Sequence, residues 1–229
     1  MTKFEIRDFN LNAFEAMVWD YASQQGIINY ETWEKIVCES CKGTWINGDK
    51  YMADGSKDNL GLNIKSVKKI PIAREEQVIS FIQCRSPIDG EDAMNDVEIG
   101  ENIIETLVKK KQDSFDDLNL NKMIDVLIVH DRDGDYYHTR VFCYEQSKYE
   151  DLDLVWKNGV GTLNGEKSWL MKRNTGSASA FQTCLMIKKS YKKIDCIVDL
   201  KVYAPNVALV NAEESIQKYQ NFKSSVPVG

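Results

Sequence analysis

The chain has 229 residues, of which 43% are hydrophobic and 28% charged, and its formal net charge is −6. That balance buries a substantial core and excludes a disordered chain, and no apolar run is long enough to span a membrane. The N-terminus lacks the apolar stretch of a secretory signal, so a cytoplasmic protein is expected. One domain over residues 1–222 is expected, with a frayed tail at 223–229.

Asn10 or Asn12 can cap a first helix in which Leu11, Phe14, Val18 and Tyr21 follow helical spacing, and Gly26 ends it. A second helix is expected over residues 30–41, with Trp33, Ile36 and Val37 on one face and Gly43 closing it. A tight β-hairpin follows, with arms near 49–54 and 60–67 and turn residues Gly55, Asp58 and Asn59 between them. Residues 77–84 are β-branched and aromatic enough for a third strand, and 88–96 form an acidic loop.

Helical spacing returns at 97–112 through Ile99, Ile103, Leu107 and Val108. Residues 123–129 are a nearly continuous apolar run, as in a buried strand, and residues 136–144 return as the next strand. Asp131, Asp133 and Asp135 between them resemble the start of a calcium loop. The pattern fails, because Tyr136 stands where the glycine belongs and Phe142 where the final glutamate belongs; a turn is the better reading. Beyond it, the sequence predicts a loop around 158–162, a central apolar segment, a late strand over 194–203 and a short helix over 212–222.

Charge is unevenly spread. Residues 86–135 carry fourteen acids against five bases, whereas 165–193 carry seven bases against Glu166 alone. A local basic field of that kind binds phosphates whatever the total charge. Six cysteines occur, and only Cys38 and Cys41 are close; one such pair without a second ligand pair reads as reduced, packed thiols rather than zinc ligands.

The most chemical part of the chain is the hairpin. Asp54 ends its first arm and Lys65 lies inside the second. A carboxylate and an ammonium on neighbouring strands hold a divalent metal and a phosphate together. Asn63 and Lys65 share one strand face by period two, and Leu62 and Ile64 share the other, toward the core.

Helix, three strands, helix and strand, with Asp54 and Lys65 on the early hairpin, resemble the core of the PD-(D/E)xK nuclease superfamily, over about residues 10–145. The resemblance implies an α/β (α+β) fold with a restriction-endonuclease-like core, a mixed central β-sheet flanked by helices. It implies a Mg²⁺-dependent, sequence-specific double-stranded DNA endonuclease of the type II restriction kind, acting as a homodimer. Asp54 matches the first acid and Lys65 the lysine; the second acid position holds Asn63, whose amide ligates a metal without charge. Glu15 on the first helix, Asp58 in the turn and Glu76 before the third strand are the acids weighed as replacements. Asp54, Asn63 and Asp58 would hold the metal, with Glu15 a further catalytic acid.

DNA recognition would come from additions over about residues 150–205. Lys172, Arg173, Asn174, Ser177, Ser179, Gln182, Lys188 and Lys189 combine bases with base-reading side chains, and Lys68, Gln83 and Arg85 are further contacts. A literal Asp-x-Lys also occurs at Asp199 and Lys201, but without an upstream acid to serve as its partner. Two other readings are a catalytically inactive nucleic-acid-binding protein on a nuclease-like scaffold, favoured by Asn63, and an interaction protein working through the acidic 86–135 segment.

Overall fold

Asn10 accepts from the Ala13 amide at 3.1 Å and starts α1 (Leu11–Gln25), which Gly26 ends at φ 73. Asn29 does the same for α2 (Tyr30–Ser40), accepting from the Thr32 amide at 2.8 Å. Trp33, Ile36 and Val37 of α2 are fully buried and share a core with Phe14 and Val18 of α1. These elements belong to a computed structural model that describes residues 6, 8–48, 50–68, 76–85, 96–146, 160–163, 166–174 and 181–205.

The fold is mixed α+β around a six-stranded sheet. Its strands are β1 (Thr44–Trp45), β2 (Gly55–Lys57), β3 (Leu60–Lys68), β5 (Lys122–Asp133), β6 (Tyr136–Glu145) and β10 (Val198–Tyr203), side by side in that order. β3 and β5 run parallel, and every other pairing in the sheet is antiparallel. Asp58, at φ 53, makes the two-residue turn between β2 and β3 with Asn59, and Gly134, at φ 59, opens the one between β5 and β6. The first hairpin arm is therefore 55–57 rather than 49–54, and Asp54 stands just before it.

A second, antiparallel sheet has the order β4 (Glu76–Arg85), β9 (Phe181–Lys192), β8 (Glu166–Asn174), β7 (Val160–Leu163). The third strand expected at 77–84 is β4, and it sits in this other sheet. The reason is that β2 and β5 already occupy both edges of β3. The expected loop at 158–162 is in part strand β7, paired with β8 from Val160 to Leu163. The expected late strand begins at Val198, after a 3-10 turn over Lys193–Asp195.

α3 (Asp96–Asp117) runs past the expected end at 112, because Ser114 is buried and Phe115 packs on the core. Alternation then separates two cores. Leu62, Ile64, Ile124, Val126 and Ile128 face α1 and α2, while Met123, Leu127 and Val129 face α3 and the second sheet. Among the described residues no helix is long and apolar enough to cross a membrane. The expected helix at 212–222 and the tail at 223–229 lie outside the described residues.

Candidate active site

Asp54 is held from three directions. Its amide donates to the Leu62 carbonyl at 2.8 Å, and its Oδ2 accepts from the Ile64 amide at 2.6 Å and from Lys65 Nζ at 3.2 Å. The loop before it is fastened to α3: Ser114 Oγ accepts from the Met52 and Ala53 amides at 2.9 and 3.3 Å and donates to the Lys110 carbonyl at 2.7 Å. Ser114 is fully buried, so this staple sets where Asp54 sits relative to α3.

Asn63 shares the Lys65 face of β3, as alternation requires, but it is buried, with 1% of its surface exposed. Its Nδ2 donates to Asp125 Oδ1 on β5 at 2.6 Å, while its own Oδ1 is buried without a hydrogen-bond partner. Asp54, Asn63 and Lys65 line a cavity of about 490 Å³ between α2, β3, β4 and α3. Gln83 and Arg85 of β4 and Lys110 of α3 line it as well.

The acid that joins them is Glu34. It lies one helical turn after Tyr30 on α2, and both residues line the cavity. Trp45 Nε1 donates to its Oε2 at 3.0 Å. Burial pushes its carboxyl up to about 6; the neighbouring Asp54 charge adds to that rise, and the Trp45 hydrogen bond and Lys65 oppose it.

Glu15 and Asp58 do not come to this cavity. Glu15 lies on α1, which packs on the opposite core, and Asp58 is in the β2–β3 turn with its carboxylate 3.7 Å from Lys57 Nζ. Glu76, at the start of β4, accepts from Ser190 at 2.6 Å and is likewise outside it. Among the acids of the first two helices, the turn and the start of the third strand, Glu34 of α2 is the one that shares the cavity lining with Asp54.

The residues expected to contact DNA divide. Gln83 and Arg85 line the cavity; Lys68 ends β3 and Lys188 lies on β9, both exposed. Lys172, Arg173 and Asn174 lie on β8 in register with Thr183, Gln182 and Phe181, and Lys189 pairs with Ile79. Arg85 is in register with Cys184 and Cys184 with Met171, so Lys172 and Arg173 follow directly along β8 from the row that starts at the cavity. Ser177 and Ser179 lie outside the described residues.

Asp199 is engaged elsewhere: its Oδ1 lies 3.2 Å from Nε of buried Arg140 and its Oδ2 3.4 Å from Lys193 Nζ. Lys201 Nζ sits 4.2 Å from the Tyr136 ring centroid. This second Asp-x-Lys stitches edge strand β10 to β6. Cys38 and Cys41 are buried free thiols, and burial pushes Cys38 up to about 12.

The donors fit a hard cation by chemistry. Asp54 supplies a carboxylate, Asn63 an amide oxygen with no other partner, and Glu34 a second carboxylate on the same cavity. Among the described residues no group of three or more His, Cys, Asp or Glu could hold a metal ion. No protein-family model matches this chain, and neither does a curated protein or a solved structure.

Proposed function

We propose that this chain is a Mg²⁺-dependent DNA endonuclease of the PD-(D/E)xK kind, hydrolysing phosphodiester bonds. The observation that carries the reading is the Asp54–Lys65 pair, 3.2 Å apart and lining a cavity with the unpartnered Asn63 Oδ1. The strand order adds support. Helices are followed by an antiparallel run β1–β2–β3, then a crossover through α3 to β5, parallel beside β3. The parallel β3–β5 pair joined through α3 supports the reading, whereas β4, expected as the third strand of the core, lies in the second sheet.

In this reading Asp54, Asn63 and Glu34 hold the cation, which when bound supplies an activated water and charge neutralisation at the phosphate. Lys65, fixed against Asp54, would orient an attacking water and offset charge on the phosphoryl oxygens as the water oxygen bonds to phosphorus, its proton passes to solvent and the bond to the leaving oxygen breaks. Arg85 and Lys110 add positive charge on the same cavity, and basic residues of β8 and β9 (Lys172, Arg173, Lys188 and Lys189) would contact the strand's phosphates. Two copies acting together would cut both strands of a palindrome, so a homodimer is the working form.

The test is incubation with plasmid and bacteriophage DNA, with and without Mg²⁺. Discrete metal-dependent fragments, lost in Asp54→Ala and Lys65→Ala, are the expected result. Asn63 favours a second reading, a DNA-binding protein on this scaffold without catalysis. Retarded but uncut DNA would establish it, and cleavage surviving either substitution would sink the site assignment.

A further inference from the structure

The same cavity carries two tyrosines that the hydrolytic chemistry does not use. Tyr30 begins α2 and is 62% exposed, one of few large apolar side chains left open to solvent among the described residues. Tyr51 lines the cavity too; its hydroxyl donates to Asp117 Oδ2 at 3.3 Å and Lys50 Nζ lies 5.0 Å from its ring centroid. Each ring is tethered through its hydroxyl, Tyr30 to Glu31 at 3.0 Å, so each is a partly ordered flat surface. Around them stand Arg85 and Lys110 for a phosphate, and the buried Asn63 Oδ1 as a polar atom still lacking a partner.

An exposed aromatic ring beside cations is what an unstacked base and its phosphate require. A volume of about 490 Å³ lies in the range of a pocket for one small ligand such as a single nucleotide. Asn63 is recessed, and the side chains of Asp54 and Lys65 keep only 23% and 27% of their surface exposed. A phosphate reaches them by entering the cavity, and the nucleotide attached to it follows.

We propose that the cavity takes one unstacked nucleotide of a DNA strand, its base against Tyr30 and Tyr51 and its phosphate toward Lys65, Arg85 and Lys110. This deepens the endonuclease reading and rests on it for the strand as ligand. The nucleotide is lifted from the duplex at the scissile position, and strands already unpaired there bind more readily because the unstacking has been done.

The experiment titrates the protein, in EDTA, into a 2-aminopurine-labelled 12-mer in three forms: single-stranded, fully paired, and paired with the labelled base bulged. Free deoxyadenosine monophosphate serves as competitor. The single-stranded and bulged forms are expected to bind about tenfold more tightly than the paired one, because only the paired form must still unstack and unpair its base. The bulged base's emission should fall on binding. Tyr30→Leu with Tyr51→Leu should abolish both effects, whereas the two Phe variants keep them.

Equal affinity for all three forms, or a preference unchanged in the Leu variants, overturns the proposal. So does a free mononucleotide that binds as tightly as the strand. Cleavage of plasmid with Mg²⁺ separates this from the underlying reading. Selective binding without cutting removes the nuclease and keeps the nucleotide site, whereas cutting without the preference does the reverse.

Discussion

Replacing Glu34 by Gln tests the electrostatics of the cavity without DNA. The carboxyl is raised from 4.5 to about 6, so the folded chain binds its proton more tightly than the unfolded chain does. The stabilisation from that proton is complete below the unfolded value of 4.5 and is lost as pH rises through about 6. At about 1.4 kcal/mol per tenfold in proton affinity the loss is about 2 kcal/mol, reduced by screening to about 1–2 because the side chain is only half-buried.

Glutamine keeps an oxygen for Trp45 Nε1 and removes the charge. The variant should therefore match the wild type near pH ~4.5 and exceed it by about 1–2 kcal/mol near pH ~7.5, or about 2–8 °C in Tm for a chain of this size. Thermal unfolding across that range measures it. Millimolar Mg²⁺ at the higher pH should raise the Tm of the wild type and do so less in the variant, since a ligand that binds only the folded state stabilises it. A difference between the two proteins that does not grow from pH ~4.5 to ~7.5 would refute the placement of Glu34 as a strained acid.

Four further outcomes follow from the packing. In Gly55→Ala the new Cβ would drive into Cys38 Sγ, so a loss of about 1–3 kcal/mol in urea unfolding is expected, with most of it recovered in the double variant carrying Cys38→Ala. Arg132→Met should cost about 2–4 kcal/mol, because the guanidinium donates to the carbonyls of Ala22, Gly26, Gly134 and Ala204 and ties the end of α1 to the sheet. Asp199→Asn should cost about 1–3 kcal/mol by weakening the partner of buried Arg140, and should leave DNA cleavage unchanged, as a structural Asp-x-Lys requires. Asn63→Asp would set a second carboxylate against Asp125, so a loss of about 1–3 kcal/mol near pH ~7.5 is expected, recovered by Mg²⁺ in a calorimetric scan.

What the sequence made legible is local. Asn10 and Gly26 mark the ends of α1 because a cap is chemistry within four residues, and Asp58 and Asn59 mark a turn for the same reason. Faces were legible too: Leu62 and Ile64 point into one core as alternation demands. Strand partnership was not. The composition of β4 says that it is a strand, but only the occupancy of both edges of β3 sends it to β9, more than a hundred residues away. The C-terminal end of α3 and the strand at Val160–Leu163 are not legible, because polar residues and glycines mask elements that tertiary contacts hold.

The site divides along the same line. Asp54, Asn63 and Lys65 can be grouped from the sequence because they lie on one hairpin and the residue before it, where sequence distance and spatial distance agree. Glu34 was not visible, because a helix face is read by its apolar residues, and those of α2 turn toward α1. Its polar face gives no sign of what it meets. Charge at the site then has to be judged across elements. Asn63 donates to Asp125 and leaves its oxygen over, so the strand carries an unpartnered oxygen without a charge, and the helix carries a charge that burial and Asp54 make costly to keep. A cation held as proposed would resolve both at once. It would give the Asn63 oxygen a partner and favour the ionised form of Glu34, so cation affinity should rise with pH through about 6 in the wild type and lose that rise in Glu34→Gln.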